Sequence, residues 1–558
     1  MQNRHIDLFL ESRFKFLSLI LAFSSSTMQF LGISLIYPFI IILFELNANN
    51  DLINELLNYL KYLNFPITKY WLLFYCGSCI ALSACLSFFY RIVISYSSFN
   101  YLGRLRKKIL DYFLKSKFQS SSDSLSKFKN SIVVLSFESH TTLLNQYNII
   151  EKVFTIIFLA LLAINFSVLI LLLTISVALL IFLFFSFTLK IVRRIQNNLN
   201  TTNEKLINLS DSITKNFKYI KSLGNKNFLP TNISSFINKF NSQNFKFTVL
   251  NKFTKIFREP IVLISLIIIF YLGLEKFKID LATLIITFVI MRRLFAQIME
   301  LVVVFQSYNK SYAAHKYCKS FLDQIEKDKE ISGSIILPEI KNINLKNINL
   351  TFDRPIFKNL NLNFKKNNSY LLKGDSGTGK TTLMMILMGI YQIDSGEIIF
   401  NENHIQDLNL MNLRTKFSYI DQQNSIFDIS LRDNLKIKND SISDEKILDI
   451  LKDFNLNYEK KDLDKTINET ISNFSGGQIQ RLNFIREIIS GSDVFIFDEF
   501  TSNLDQENTR LIINYIQKKM RDRIIIISSH QKEYNKIVDY IINFDNQELS
   551  LQKNNQKK

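Results

Sequence analysis

Cysteine is scarce, with four in 558 residues, and that scarcity leaves no disulfide framework to stabilise the fold. Three of the four, Cys76, Cys79 and Cys85, lie in one apolar run with no histidine nearby, so the Cys-x-x-Cys pair lacks the further ligands that zinc would need. Gly77, Ala81 and Cys85 recur every four residues, and the expected role of these small side chains is close helix contact. No basic patch with interleaved aromatics stands out, so the net charge of +18 is not read as a sign of nucleic acid; the lysines and arginines cluster instead between the apolar runs. Charge itself is missing from long runs before residue 310. The first dozen residues are polar, and no small-residue cleavage site follows a short apolar core, so the first apolar run is expected to stay in the chain.

What the chain has in abundance is apolar surface: hydrophobic residues make up 47%, with 50 phenylalanines. Its length suggests two to four domains, and the apolar runs divide it into a membrane part and a part of soluble composition. Phe16 to Phe44 is uncharged and long enough for one span, and Trp71 to Tyr90 makes a second. Val153 to Leu189 is too long for one crossing and is expected to form a hairpin of two, turning near 163–167. Pro260 to Leu274 and Leu281 to Phe305 complete six. The segments after Arg91 and after Lys190 are basic, so the positive-inside bias places them, both termini and the soluble part in the cytoplasm. In the sixth span Arg292 and Arg293 stand roughly 18 Å in from the outer end. Read as structure, they pair with Glu300 or snorkel; read as function, they form a positive wall of a cavity for an anionic substrate.

The most informative stretch is Gly374-Asp375-Ser376-Gly377-Thr378-Gly379-Lys380-Thr381-Thr382. It follows the apolar run Tyr370 to Leu372 and precedes Leu383 to Met388, an order of strand, glycine loop and helix. Glycines let successive N–H groups point inward, the helix N-terminus adds its positive end, and Lys380 supplies a mobile charge, so the stretch is expected to hold a nucleoside triphosphate, with Thr381 on Mg²⁺. Four landmarks follow: Gln422 at a strand end, Phe474-Ser475-Gly476-Gly477-Gln478 before a helix, Val494 to Asp498 with Glu499, and an apolar strand ending at His530.

These landmarks, in this order, resemble the ATP-binding cassette family, and six spans followed by one such domain resemble an ABC exporter half-transporter. The resemblance implies an α-helical transmembrane domain followed by an α/β P-loop cassette, with ATP and Mg²⁺ bound. It makes 374–382 the Walker A loop, Phe352 the adenine-stacking aromatic, Gln422 the Q-loop glutamine, and Ser475 to Gln478 the signature loop. Asp498 becomes the Mg²⁺-holding carboxylate, with Thr381 and Gln422 beside it. Glu499 becomes the general base, His530 the switch histidine, and Asp505 the end of the D-loop that begins at Ser502; Glu469 falls in the cross-linking loop without its usual glycines. The expected boundaries are 1–323 for the membrane domain, 324–341 for a linker, 342–551 for the cassette and 552–558 for a disordered tail. Coupling to the cassette is expected around 119–130 and 220–224. Each nucleotide in this family is clamped between two cassettes, so the expected partner is an identical chain.

Leu31-Gly32-Ile33-Ser34-Leu35-Ile36-Tyr37-Pro38-Phe39 and the arginine pair are similar to bacterial flippases of lipid-linked oligosaccharides, although the proline expected soon after the arginines is absent. That likeness implies a polyprenyl-pyrophosphate glycan as substrate at the bacterial cytoplasmic membrane, with Arg292 or Arg293 meeting its pyrophosphate. Peptide, multidrug or lipid export and, from a different class, an ATP-gated channel or regulator are the alternatives.

Overall fold

The computed structural model describes residues 12–44, 66–117, 122–166, 205–222, 230–276, 281–352, 354–421, 426–467, 475–501, 505–545 and 548–555, with isolated positions between 58 and 202. The chain forms two units, Met1–Lys329 and Glu330–Lys558.

The first unit is helical: α1 Lys15–Ser34, α2 Ile36–Phe44, α3 Lys69–Leu114, α4 Ser122–Asn130, α5 Ser136–Phe166, α6 Phe217–Ser222, α7 Pro230–Glu275 and α8 Leu281–Lys327. Three stretches among the described residues are long and apolar enough to cross a membrane, Lys15–Leu43, Lys69–Leu114 and Ser124–Ile164, and a shorter apolar stretch covers Leu263–Leu272. The first is broken at Leu35. Pro38 explains the position of the break, since a proline ring collides with the carbonyl four residues earlier, here that of Ser34. The expected hairpin turn near 163–167 meets helix through Phe166, and residues 167–190 lie outside the described residues. The runs expected as the second and sixth spans open helices far longer than a bilayer, of 46 and 47 residues, and of these two only Lys69–Leu114 is among the three stretches long and apolar enough to cross. Between α4 and α5 the helix widens to a π turn at Ser131–Leu135, and Arg106 donates to the Ile132 carbonyl and the Ser136 hydroxyl, both at 3.1 Å.

The expected small-residue contact sits on a different face. Gly77, Ala81 and Cys85 are exposed in the single chain, and a Cβ on Gly77 would meet nothing within 4 Å. Close approach occurs instead at Gly32, where a Cβ would fall 2.9 Å from Ile80 Cγ1 and where Cys76 Sγ donates to the Gly32 carbonyl at 3.1 Å. Ser83 Oγ donates to the Ser25 carbonyl one layer away, at 2.9 Å. Polar side chains thus join α1 to α3 where a hydrophobic driving force would be absent in lipid.

The second unit holds β1 Asn342–Thr351, β2 Pro355–Lys365, β3 Ser369–Lys373, α9 Lys380–Leu387, β4 Ser395–Phe400, β5 Asn403–His404, α10 Leu410–Thr415, β6 Phe417–Ile420, β7 Ile429–Ser430, α11 Leu431–Lys436 and α12 Asp444–Asp453. It continues with β8 Thr466–Ile467, α13 Gly476–Ile489, β9 Val494–Asp498, α14 Gln506–Lys519, β10 Ile524–Ser528, β11 Tyr540–Asp545 and β12 Glu548–Lys553. The main sheet has the order β12-β11-β3-β10-β9-β6, parallel except for β12, and a four-stranded antiparallel sheet has the order β2-β1-β4-β5. Strands β9 and β10 are buried along their whole length, as parallel strands covered on both faces must be. Ile524 and Ile526 face the cluster that contains α9, while Ile525 and Ile527 face the cluster that contains α13 and α14.

Two expected boundaries shift. The linker placed at 324–341 is divided: residues to Lys327 belong to α8, while Glu330 and its successors pack on the second unit. Gly333 N–H donates to the Leu408 carbonyl and Ile335 N–H to that of Asp407, both at 2.9 Å, and Arg414 holds Glu330 through two bonds of 2.8 Å. A Cβ on Gly333 would lie 2.1 Å from the Asp407 carbonyl carbon, so only glycine fits this contact. The tail expected from 552 begins as strand, and the Asn554 amide donates to the carbonyls of Asn535 and Val538 at 2.6 and 2.7 Å.

Candidate nucleotide site and membrane cavity

The buried residues Tyr370, Leu371 and Leu372 fix the end of β3 within the sheet, so the chain enters the glycine loop at the carboxyl edge of the strands. Gly379 caps α9 with φ 104°, where a Cβ would meet Ile356 Cγ2 at 2.9 Å and the Phe357 ring at 3.1 Å. Backbone and neighbours both demand glycine there. Lys380 is 7% exposed, and its ammonium donates to the carbonyl of Gly374 and, at 3.0 Å, to that of Asp375. The loop therefore shapes itself around its own cation. Arg354 donates to the Gly377 carbonyl at 3.2 Å, a support that no loop pattern in the sequence points to.

Thr381 Oγ1 donates to Asp498 Oδ2 at 2.6 Å, which joins α9 to the end of β9. A hydroxyl beside a carboxylate at the phosphate loop is a hard-oxygen donor set, and it fits Mg²⁺. Next to Asp498, Glu499 adopts φ 49°, a left-handed backbone unusual for a non-glycine residue, and its N–H donates to the Ser528 carbonyl at 2.9 Å. That bond sets the carboxylate over the loop, 3.7 Å from Nε2 of His530. Nearby on β6, burial first and then the charges of Asp498 and Asp421 raise the Tyr419 phenol above its ordinary range, so it stays neutral. A cavity of about 260 Å³ is lined by Ser376, Gly377, Gly379, Lys380, Thr381, Thr382, Asp498 and Glu499, with Ile356 on one side. The residues expected to hold phosphate, metal and water thus share one space.

Phe352 lies at the domain surface, 51% exposed, with its edge toward Tyr391 at 5.4 Å and 70°. Ser475 opens α13 with a capping box, its hydroxyl accepting from Gln478 N–H while Gln478 Oε1 accepts from Ser475 N–H at 2.8 Å. Ser475 and Gly476 are exposed, and none of Ser475 to Gln478 lines the phosphate cavity. Asp505 caps α14 through the N–H of Asn508 at 2.8 Å. Gln422, Glu469, Phe474 and 502–504 lie outside the described residues.

In the membrane unit, a cavity of about 640 Å³ lies among α1, α3, α5 and α8. Arg292 and Arg293 line it together with Gln297, and so do Arg91, Glu151 and Lys152, which border apolar runs in the sequence. Glu300 takes the Lys152 ammonium at 2.5 Å, and the Glu151 carboxylate lies 3.7 Å from Arg91. With its amide oxygen turned toward Arg293, Gln29 accepts from Nη2 at 2.5 Å and from Nε at 3.1 Å. Searching for uncharged runs hides such residues, because a charge at the edge of a run reads as the end of a span.

The family profile for the ABC transporter transmembrane region matches residues 15–299, and that for the ABC transporter domain matches residues 357–502. The chain belongs to the ABC transporter family. Its membrane domain and cassette are fused in one chain. This ABC transporter is 27% identical over 305 residues to a probable ABC transporter ATP-binding/permease protein of Haemophilus influenzae, covering 53% of this chain and 55% of the relative. It is 25% identical over 374 residues to an ATP-dependent lipid A-core flippase of Mannheimia succiniciproducens, covering 64% and 63%. The aligned stretches therefore span less than two thirds of these relatives' own length. In fold it is similar to a bacterial Atm1-family ABC exporter with ATP bound, with a TM-score of 0.76 over 97% of this chain and 94% of the other, at 15% identity.

Proposed function

We propose that two copies of this chain form an ATP-driven exporter that moves an anionic lipid-linked substrate across the bacterial cytoplasmic membrane, with the cassettes on the cytoplasmic side. The observation that carries the substrate class is the membrane cavity, where Arg292 and Arg293 converge with Arg91 and Lys152. The latter two are set against Glu151 and Glu300, so that among the described residues the arginine pair supplies the unneutralised charge. Cations in a span are costly unless they face a polar space, and a phosphate or pyrophosphate headgroup matches their charge and the fork of a guanidinium. The finer assignment is a polyprenyl-pyrophosphate glycan. A second reading, a phosphorylated lipid of the lipid A-core type, is favoured by the likeness to ATP-dependent lipid A-core flippases.

In the cassette, Lys380 exchanges the carbonyls of its own loop for the phosphate chain. Glu499 takes the proton of the attacking water, and His530 stands beside it to hold the terminal phosphate. A magnesium ion held by Thr381, Asp498 and Gln422 would neutralise phosphate charge. The signature residues Ser475 to Gln478 are exposed or half-buried away from this cavity, which supports completion of the site by a second chain.

The test is ATP hydrolysis by the purified protein in liposomes, with a polyprenyl-pyrophosphate glycan, lipid A-type lipids and hydrophobic peptides in parallel. Stimulation by the glycolipid, lost in Arg292→Ala/Arg293→Ala, supports the finer assignment. Stimulation by lipid A-type lipids alone selects the second reading, and stimulation by peptides alone removes both.

A further inference from the structure

A second cavity, of about 460 Å³, lies farther along the same helices and plays no part in the transport scheme above. Its wall carries Arg104 and Lys108 from α3, and His315, Lys316 and Lys319 from α8. Arg104 and Lys108 are one helical turn apart, as are Lys316 and Lys319, and like charges at that spacing repel. Among the described residues none of the four makes an ion pair within 4.0 Å, and Asp323 is the one carboxylate lining the cavity. His315 carries a buried Nδ1 without a hydrogen-bond partner. Burial, and then the charge of Lys319, lowers its pKa to about 4, so the imidazole is neutral and adds no charge. Lys108 lies over the Tyr112 ring at 5.0 Å, and the four cations face the single carboxylate of Asp323.

Position along α3 selects the ligand. Arg104 comes thirteen residues after Arg91, where the apolar run ends, and a helix rises roughly 20 Å over that length. A lipid headgroup does not reach so far, whereas a small molecule in solution does. The volume falls within the range of about 300–1,000 Å³ usual for small-molecule sites. We propose that this cavity binds a soluble small molecule carrying two or more phosphate groups, with Arg104, Lys108, Lys316 and Lys319 as its counter-charges.

The experiment uses the full-length protein in nanodiscs of neutral lipid, with Lys380→Ala to weaken phosphate binding at the cassettes. Calorimetric titration with inorganic tripolyphosphate is expected to show one site per chain, with affinity falling as salt is raised. Arg104→Gln/Lys319→Gln is expected to weaken binding at least tenfold with an unchanged melting temperature. If that pair unfolds the protein, Lys316→Gln alone serves, with an expected loss of threefold or more. ADP bound with the same dependence on these residues supports a nucleotide as the ligand. Absence of binding, binding unaffected by the substitutions, or displacement of tripolyphosphate only by anionic-lipid nanodiscs would overturn the proposal.

Discussion

Gly379→Ala tests whether the phosphate loop is held by geometry or merely tolerated. Its backbone φ of 104° lies in the left-handed region, where an L side chain costs roughly 1–2 kcal/mol. The new Cβ also falls 2.9 Å from Ile356 Cγ2 and 3.1 Å from two atoms of the Phe357 ring, and overpacking of this kind costs about 1–3 kcal/mol. Phe357 is 1% exposed and packed in the cluster that contains α9, so it has little room to yield. Together these give roughly 2–5 kcal/mol, which in a unit of this size lowers the melting temperature of the cassette by roughly 4–20 °C. Gly377→Ala is the control, because its φ of 81° carries the same backbone cost but its Cβ would meet only the Arg354 guanidinium, at 3.5 Å. Scanning calorimetry with and without ATP and Mg²⁺ separates the two. Gly379→Ala should melt well below Gly377→Ala and gain less from nucleotide. Equal melting temperatures would refute the steric argument, and full nucleotide stabilisation of Gly379→Ala would refute the claim that the loop's phosphate-binding shape demands glycine there.

Glu499→Gln should keep ATP binding while lowering turnover by about 10²–10⁴-fold, the usual span for a general base, measured as phosphate release. Gly32→Ala should loosen α1 from α3, since its Cβ would lie 2.9 Å from Ile80; a drop in melting temperature relieved by Ile80→Ala would show it. His315 has a folded pKa of about 4 against an ordinary 6.5, so between those values the unfolded chain holds a proton that the folded chain lacks. Its contribution is fully present above pH 6.5 and is lost as pH falls toward 4, and His315→Gln should flatten the pH dependence of stability across that window.

The cassette was legible because its signals are local. Tyr370 to Leu372, the loop and Leu383 to Met388 are contiguous, and the parallel strands Val494–Asp498 and Ile524–Ser528 are continuous apolar runs whose ends carry charge or histidine. The left-handed turn at Glu499 was hidden, since it follows from a hydrogen bond to Ser528 on another strand. In the membrane unit, hydropathy located the apolar runs but not their faces. Four-residue spacing marked Gly77, Ala81 and Cys85, yet rotation of α3 about its axis brings Cys76 and Ser83 to α1. Likewise Arg91 and Lys152, at the edges of runs, turn into the same cavity as Arg292 and Arg293 only once four helices are assembled.

The seating of Glu330 and Gly333 has a practical consequence for anyone producing the cassette alone. A chain started at Asn342, where the first strand begins, would deprive Arg414 of its carboxylate, leaving that guanidinium only the carbonyls of Met388 and Gly389 at the end of the phosphate-loop helix. It would also remove Leu337 and Ile340, which are 3% and 0% exposed and belong to the same apolar cluster as that helix. Such a fragment would be expected to express poorly and to misreport nucleotide affinity, whereas one cut at the junction between Lys329 and Glu330 carries its own foundation with it.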